Sequence, residues 1–188
     1  PDIMIRLNRA MKHEQVPART DSLTGVLNTR SFRELAQMEI NRSVRYKRPF
    51  TIAFIDIDNF KNINDTFGHS MGDIVLRTIA GSMQVHLRKT DMVARVGGDE
   101  FVALLPETDA QTAPGVISSM QRAFLKEMNE KGWPVTFSIG ALTLTAPQLS
   151  VDEMLGIADQ MMYAVKNNGK NDFYFDIYPS EKSYARAK

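Results

Sequence analysis

Arg95-Val96-Gly97-Gly98-Asp99-Glu100-Phe101 sits between two short apolar runs, Met92–Val96 and Phe101–Leu105. Two such runs, joined by a few residues with paired glycines, predict a β-hairpin. The tip carries adjacent carboxylates, Asp99 and Glu100. Glycine permits a tight reversal and lets a bulky ligand approach the backbone. Carboxylates at such a tip suit a hard cation such as Mg²⁺. Taken alone, the tip reads as an ordinary polar turn, because Gly-Asp turns are common. The chain on either side reverses that weighting.

Upstream, Phe50 to Asp58 is nearly continuous apolar sequence that ends in Asp56 and Asp58. Such a run predicts a central strand covered on both faces. Side chains alternate along a strand, so the two aspartates share a side. Carboxylates at the end of a buried strand are costly unless a cation or hydrogen-bond donors meet them. They also read as a plain solvated strand end. Before this strand the pattern predicts a helix from about Arg30 to Tyr46, with Phe32, Leu35, Ala36 and Ile40 facing inward and Pro49 ending it. Asn28 or Thr29 is placed to cap it. After Asp58 come a short helical turn, a glycine-containing loop, and a helix to about Leu87 with Ile74, Val75, Ile79 and Met83 inward. Ser70 with Asp73 has the spacing of a helix-start cap.

Downstream, a helix is expected from about Asp109 to Met128, starting in earnest at Pro114. A β-branched strand follows over Val135–Leu144, with Gly140 as an expected bulge. Ser150-Val151-Asp152-Glu153 is a capping-box pattern that opens a helix to Asn167, stopped at Gly169. Asp172–Tyr178 reads as a last strand. Strands alternating with helices, plus one hairpin, predict an α/β (α+β) fold: a central mixed sheet of about five strands surrounded by helices. The expected division is an N-terminal linker helix over 1–19, one domain over 20–178, and a polar tail over 179–188. Ile3, Leu7 and Met11 lie at roughly heptad spacing in the first of these.

Composition narrows the chemistry. The chain has 188 residues, 43% hydrophobic and 24% charged, enough for one domain with a sizeable core. A net charge of +1 gives no sign of a nucleic-acid surface. There is no cysteine, which excludes thiol nucleophiles, disulfides and cysteine-based zinc sites. Three scattered histidines do not make a histidine metal site.

The residues from about Arg19 to Phe175 resemble the GGDEF family, the diguanylate cyclases. The hairpin holds the family's Gly-Gly-Asp/Glu-Glu-Phe unaltered at Gly97 to Phe101. Asp21 to Asn28 resembles the Asp-x-Leu-Thr-Gly-Leu-x-Asn segment that opens the family's domain, although Thr29 stands where its first arginine is usual and Arg30 keeps the second. Asp56 to Asp73 is similar to Asp-x-Asp-x-Phe-Lys-x-(Ile/Val)-Asn-Asp-x-(Phe/Tyr)-Gly-His-x-x-Gly-Asp. Ala158 to Asn171 is similar to the family's Ala-Asp-x-Ala-(Leu/Met)-Tyr segment with its two downstream basic residues.

The resemblance implies a palm-like fold, related to nucleotidyl cyclases and polymerases. It also implies a reaction that joins two GTP into cyclic di-GMP and releases two pyrophosphates. Mg²⁺ or Mn²⁺ would be held by Asp56, the Ile57 carbonyl, Asp99 and Glu100. Asp99, Glu100 and Lys61 would be the catalytic groups. Asn64 and Asp73 would read the guanine base. Main-chain amides near Phe60, with Lys61, Lys166 and Lys170, would face phosphates. Without the resemblance the two last lysines read equally as a basic helix end favoured by the helix dipole. Arg88 and Asp91 stand at the offset of the family's inhibitory Arg-x-x-Asp site for cyclic di-GMP. That site's second arginine falls on Ser119, with Arg122 one turn away. One domain holds one GTP, so a homodimer is implied. The expected location is cytoplasmic, compatible with an upstream, membrane-anchored sensor. The competing reading is a non-catalytic GGDEF domain that serves as a receptor for cyclic di-GMP or GTP.

Overall fold

All nine residues of β2 (Phe50–Asp58) are buried. The reason is visible in the computed structural model, which describes residues 18–146 and 148–179. β2 lies inside a six-stranded sheet of order β1-β3-β4-β2-β5-β6. Its neighbours are β4 (Glu100–Pro106) and β5 (Thr136–Leu144), both antiparallel to it. β3 (Met92–Arg95) forms the hairpin with β4. β1 (Leu27–Asn28) runs parallel to β3 and β6 (Phe173–Tyr178) parallel to β5, so the sheet is mixed. The strand beyond the expected five is β1, two residues at the close of the Asp21–Asn28 turn. It is too short to carry an alternating pattern.

Alternation along β2 sorts its side chains into two cores. Ala53, Ile55 and Ile57 pack beneath α3 (His69–His86) and α4 (Ala113–Glu130), against Val75, Ile79, Met83, Ile117 and Phe124. Phe50, Ile52 and Phe54 pack beneath α1 (Thr29–Tyr46) and α5 (Val151–Asn167), against Phe32, Ala36, Met154, Ala158 and Met162. The short α2 (Phe60–Phe67) follows β2 directly and buries Ile63. Each buried aliphatic or aromatic side chain contributes about 1.5–3 kcal/mol, so a strand covered on both faces is the natural centre of the molecule.

Helix starts follow local chemistry where the expectation named the right side chain. Asn28 caps α1 by accepting from Ser31 N at 2.9 Å. Ser150 and Glu153 form the reciprocal capping box of α5. Each cap contributes about 1 kcal/mol. Three expectations are corrected. Ser70 and Asp73 do not cap α3, which begins one residue after Gly68; that glycine, at φ 82°, ends α2 and starts α3 without a side-chain cap. Ile74 faces solvent at 44% exposure, and Leu76 takes an inward position instead. Gly140 is no bulge, since pairing with β2 runs unbroken through Phe54↔Gly140. A Cβ there would lie 2.1 Å from Ala158 O and 2.4 Å from Met162 N, so the glycine exists to let α5 lie close on the sheet. The helix expected over residues 3–19 lies outside the described residues but for its last two, as does the tail from residue 180.

Candidate active site

β2 ends by delivering Asp56 and Asp58 to the α5 side of the sheet. Asp56 stands opposite Glu100 of β4 in register. From the last turn of α5, Lys166 reaches down, and its Nζ lies 2.7 Å from Asp56 Oδ2. Asp56 Oδ1 is buried with no hydrogen-bond partner. Burial pushes the Asp56 carboxyl up; the Lys166 hydrogen bond pulls against this, while the Asp99 and Asp58 charges add to it. Glu100 is also pushed up, by burial first and then by the charges of Asp56, Asp159 and Asp99. Burial opposes the charge on Lys166, but Asp56, with Asp99 and Asp58 beyond it, holds the ammonium above its ordinary value. The site is therefore a crowd of carboxylates with one internal cation.

The hairpin tip is fixed by its carbonyls. Ile57 N–H donates to Asp99 O at 3.2 Å. Arg95 donates to Gly98 O from Nη2 at 2.7 Å and from Nε at 3.1 Å. Its Nη1 lies 3.3 Å from Asp21 Oδ1, tying the hairpin to the opening turn of the domain. Burial raises the Asp21 carboxyl, but hydrogen bonds from Thr24 and the Arg95 guanidinium outweigh it and hold it low. The paired glycines differ in role. A Cβ on Gly97 would lie 2.2 Å from Glu100 Oε2, so Gly97 makes room for that carboxylate; a Cβ on Gly98 would meet nothing within 4 Å. The roles of Arg95 and Asp21 were not legible in the sequence, since neither carries a pattern that pairs residues 74 apart.

These residues fit a divalent cation. A buried carboxylate oxygen without a donor needs a positive partner. Among the described residues no three His, Asp or Glu side chains form a ready-made cage. That suits an ion such as Mg²⁺, which takes one or two carboxylates and completes its shell with substrate phosphates and water. Asp56 feels the charge of Asp99 and stands opposite Glu100, so these carboxylates, with the Ile57 carbonyl expected from the family resemblance, are the groups that could hold it.

The start of α2 supplies the opposite polarity. Its N-cap Asn59, at φ 62°, makes no side-chain cap bond; Asn62 N–H turns back to Asn59 O at 2.9 Å, and no side chain caps the amides of Phe60 and Lys61 ahead of it, where an anion could sit. Asn59 Oδ1 accepts from Lys170 Nζ at 2.9 Å. Lys61 stands exposed on the first turn of the same helix. Lys166 and Lys170 thus reach one strand end from α5 and the loop after it, and Lys61 lies on the helix that leaves that end. Asp58 departs from the cation reading of the two strand-end carboxylates. Both its oxygens are occupied, by Ser138 Oγ at 2.7 Å, Thr136 Oγ1 at 2.8 Å and Asn171 N at 3.1 Å.

Asn64 on α2 and Asp73 on α3 are both half-buried. A Cβ on Gly72 would lie 2.0 Å from Asn64 Oδ1 and 3.1 Å from the Phe60 ring, so this glycine gives the Asn64 amide its place. Arg88 and Asp91 lie apart from these groups, before β3, on a cavity of about 550 Å³ shared with Thr20, Gly25, Leu35 and Gln84. Asp91 Oδ2 accepts from Arg88 N–H at 2.8 Å, and its Oδ1 is buried without a partner. Burial pushes the Asp91 carboxyl up, against that hydrogen bond and the Arg88 charge. Neither Ser119 nor Arg122 lines this cavity.

Residues 18–172 match the family model described as diguanylate cyclase, GGDEF domain. The chain is 35% identical over 167 residues to Diguanylate cyclase DgcM of Escherichia coli, covering 88% of this chain and 40% of that protein. It is 34% identical over 163 residues to Diguanylate cyclase DgcP of Pseudomonas aeruginosa, covering 86% and 24%. The chain thus spans less than half the length of these relatives. Among solved structures, it is similar to diguanylate cyclase SiaD of Pseudomonas aeruginosa in complex with its activator SiaC, at TM-score 0.75 and 32% identity over 93% of this chain and 67% of that one. It is also similar to the coiled coil and GGDEF domain of DgcB from Caulobacter crescentus in complex with c-di-GMP, at TM-score 0.76 and 25% identity over 93% and 96%.

Proposed function

The chain belongs to the GGDEF family of diguanylate cyclase domains, and from that premise we propose that it condenses two GTP into cyclic di-GMP as a homodimer. The observation that carries this reading is the buried, unpartnered Oδ1 of Asp56 beside Lys166 and the hairpin carboxylates. A receptor for cyclic di-GMP alone, which carries no triphosphate and its metal, would have no need of an acidic pair kept at that cost. Mg²⁺ or Mn²⁺ held by Asp56, the Ile57 carbonyl and Asp99, with Glu100 adjacent, would lower the pKa of the attacking hydroxyl and neutralise charge on the triphosphate.

The chain's own residues account for the rest. Asn64 and Asp73 bind guanine: an amide and a carboxylate together match its ring N–H, exocyclic amine and carbonyl, which adenine does not offer. The main-chain amides near Phe60, with Lys61, Lys166 and Lys170, bind and orient the triphosphate. Each domain presents one GTP, so two domains face each other across a two-fold axis. The 3′-hydroxyl oxygen of one GTP then bonds to the α-phosphorus of the other. The bond from that phosphorus to the bridging oxygen breaks, the hydroxyl proton is released, and pyrophosphate departs. Repetition in the opposite sense closes the ring.

Product control follows at the Arg88–Asp91 cavity, where the guanidinium grips a phosphate or base edge and the half-buried Asp91 meets a guanine edge. Incubation of the purified chain with GTP and Mg²⁺ over a range of protein concentrations tests the reading. Cyclic di-GMP is expected to rise faster than linearly with protein, and Asp99→Ala is expected to abolish it with the fold retained. GTP binding without product at any concentration, even with a dimerising coiled coil added at the N-terminus, would favour the receptor.

A further inference from the structure

The second aspartate of β2 has work of its own. Asp58 is 1% exposed, and its carboxylate accepts three hydrogen bonds. Two come from Thr136 and Ser138 on the neighbouring strand β5. The third comes from the main-chain N–H of Asn171, in the loop that leads from α5 to β6. That loop is strained: Lys170 and Asn171 are consecutive non-glycine residues in the left-handed region, at φ 64° and 53°. Such a conformation costs about 1–2 kcal/mol per residue, less for Asn, and persists only where its surroundings impose it.

Asp58 is the polar anchor on one side of this turn. On the other side, Ile139 N–H donates to Asp172 O at 3.1 Å, stitching the loop's exit to β5. The side chain that the strained turn carries is Lys170, whose Nζ rests on Asn59, the residue after Asp58. One strand end thus holds Lys170 twice, through the next peptide N–H and through the ammonium itself.

We infer that Asp58 is a positioning residue for the nucleotide phosphates rather than a cation ligand: it locks the Lys170–Asn171 turn so that the Lys170 ammonium is presented at the start of α2. The inference rests on the reading of Lys170 as a phosphate contact. In the nucleotide-free protein Asn59 holds the ammonium in place, and a phosphate takes it over without the turn having to reorganise. Preorganisation of this kind shows in triphosphate affinity and leaves metal affinity alone.

The test is calorimetric binding of the α,β-methylene analogue of GTP in the presence of Mg²⁺, with Asp58→Asn, Lys170→Ala and the double variant. Asp58→Asn is expected to weaken the analogue roughly tenfold, to leave the half-saturating Mg²⁺ concentration unchanged when read at saturating analogue, and to retain the fold by circular dichroism. Lys170→Ala is expected to weaken it similarly, and the double variant no further. A rise in the Mg²⁺ requirement of Asp58→Asn would make Asp58 a metal ligand and overturn the inference, as would additive losses in the double variant. If Asp58→Asn does not fold, Asn171→Ala loosens the same turn from its exposed side and is expected to weaken the analogue in the same direction; unchanged affinity would overturn the inference. Should Lys170→Ala itself leave binding intact, the phosphate reading fails too. Should Lys170→Ala weaken binding while Asp58→Asn does not, only the positioning role fails.

Discussion

Lys166 Nζ lies 2.7 Å from Asp56 Oδ2, while Oδ1 of the same buried carboxylate meets no donor. Half of Asp56 is therefore balanced by the protein and half is left for something else to balance. Lys166 serves two masters in this arrangement: it offsets Asp56 in the nucleotide-free protein and faces phosphates in the proposed complex.

Replacing Lys166 with Met should expose that dual role. The variant leaves a buried carboxylate without its cation, and the expected loss of stability without metal is on the order of 2 kcal/mol. Adding Mg²⁺ should recover part of it. Urea unfolding with and without the ion checks this, and equal stabilities of variant and parent would mean that the ion pair contributes nothing.

The two hairpin glycines should behave differently. In Gly97→Ala the new methyl collides with the Glu100 carboxylate, so the hairpin must shift. A loss of about 1 kcal/mol and a clear fall in turnover are expected. Gly98→Ala meets no protein atom within 4 Å, so its stability should stay within about 0.5 kcal/mol of the parent. Any loss of activity there would come from space denied to the nucleotide. Melting curves that moved equally would contradict this division.

Gly72→Ala drives a methyl into Asn64 Oδ1 and so displaces the amide proposed to read guanine. GTP affinity should fall by roughly tenfold, in line with a site left with mispaired polar groups, and the margin over ATP should narrow. Competition binding with the two nucleotides gives the answer directly.

Glu39 provides a pH test far from the chemistry. It is buried on α1, and burial raises its carboxyl against the pull of Arg42, whose guanidinium lies 3.8 Å away; Glu107 adds to the rise. A carboxyl raised in the folded state keeps its proton where the unfolded chain has already released its own. Stability is thus lost as pH climbs from the unfolded value through the folded one. Glu39→Gln cannot ionise and should be more stable than the parent above that window, with the advantage vanishing below it. Denaturant midpoints measured on both sides of the carboxylate range decide the matter.

Much of this protein was written locally. The apolar run Phe50–Asp58 announced a doubly covered strand, the hairpin announced itself by its glycines, and Asn28 and Ser150 marked helix starts, because each depends on neighbours a few residues away. The family motifs likewise singled out Asp56, Asp99, Lys61, Lys166 and Lys170, whose roles in the reaction belong to the proposal. What the chain order could not tell is how distant residues divide the work. Asp56 and Asp58 are equivalent in sequence, two residues apart on one face. Tertiary structure gives Asp56 a lysine and an empty oxygen, and gives Asp58 three donors from β5 and the α5–β6 loop. Gly140 shows the same limit: its reason is the backbone of α5, which only the folded layers bring within reach. Local sequence determines elements and cap chemistry through short-range sterics and hydrogen bonding. Packing alone decides which buried carboxylate is satisfied, and so which remains free to bind.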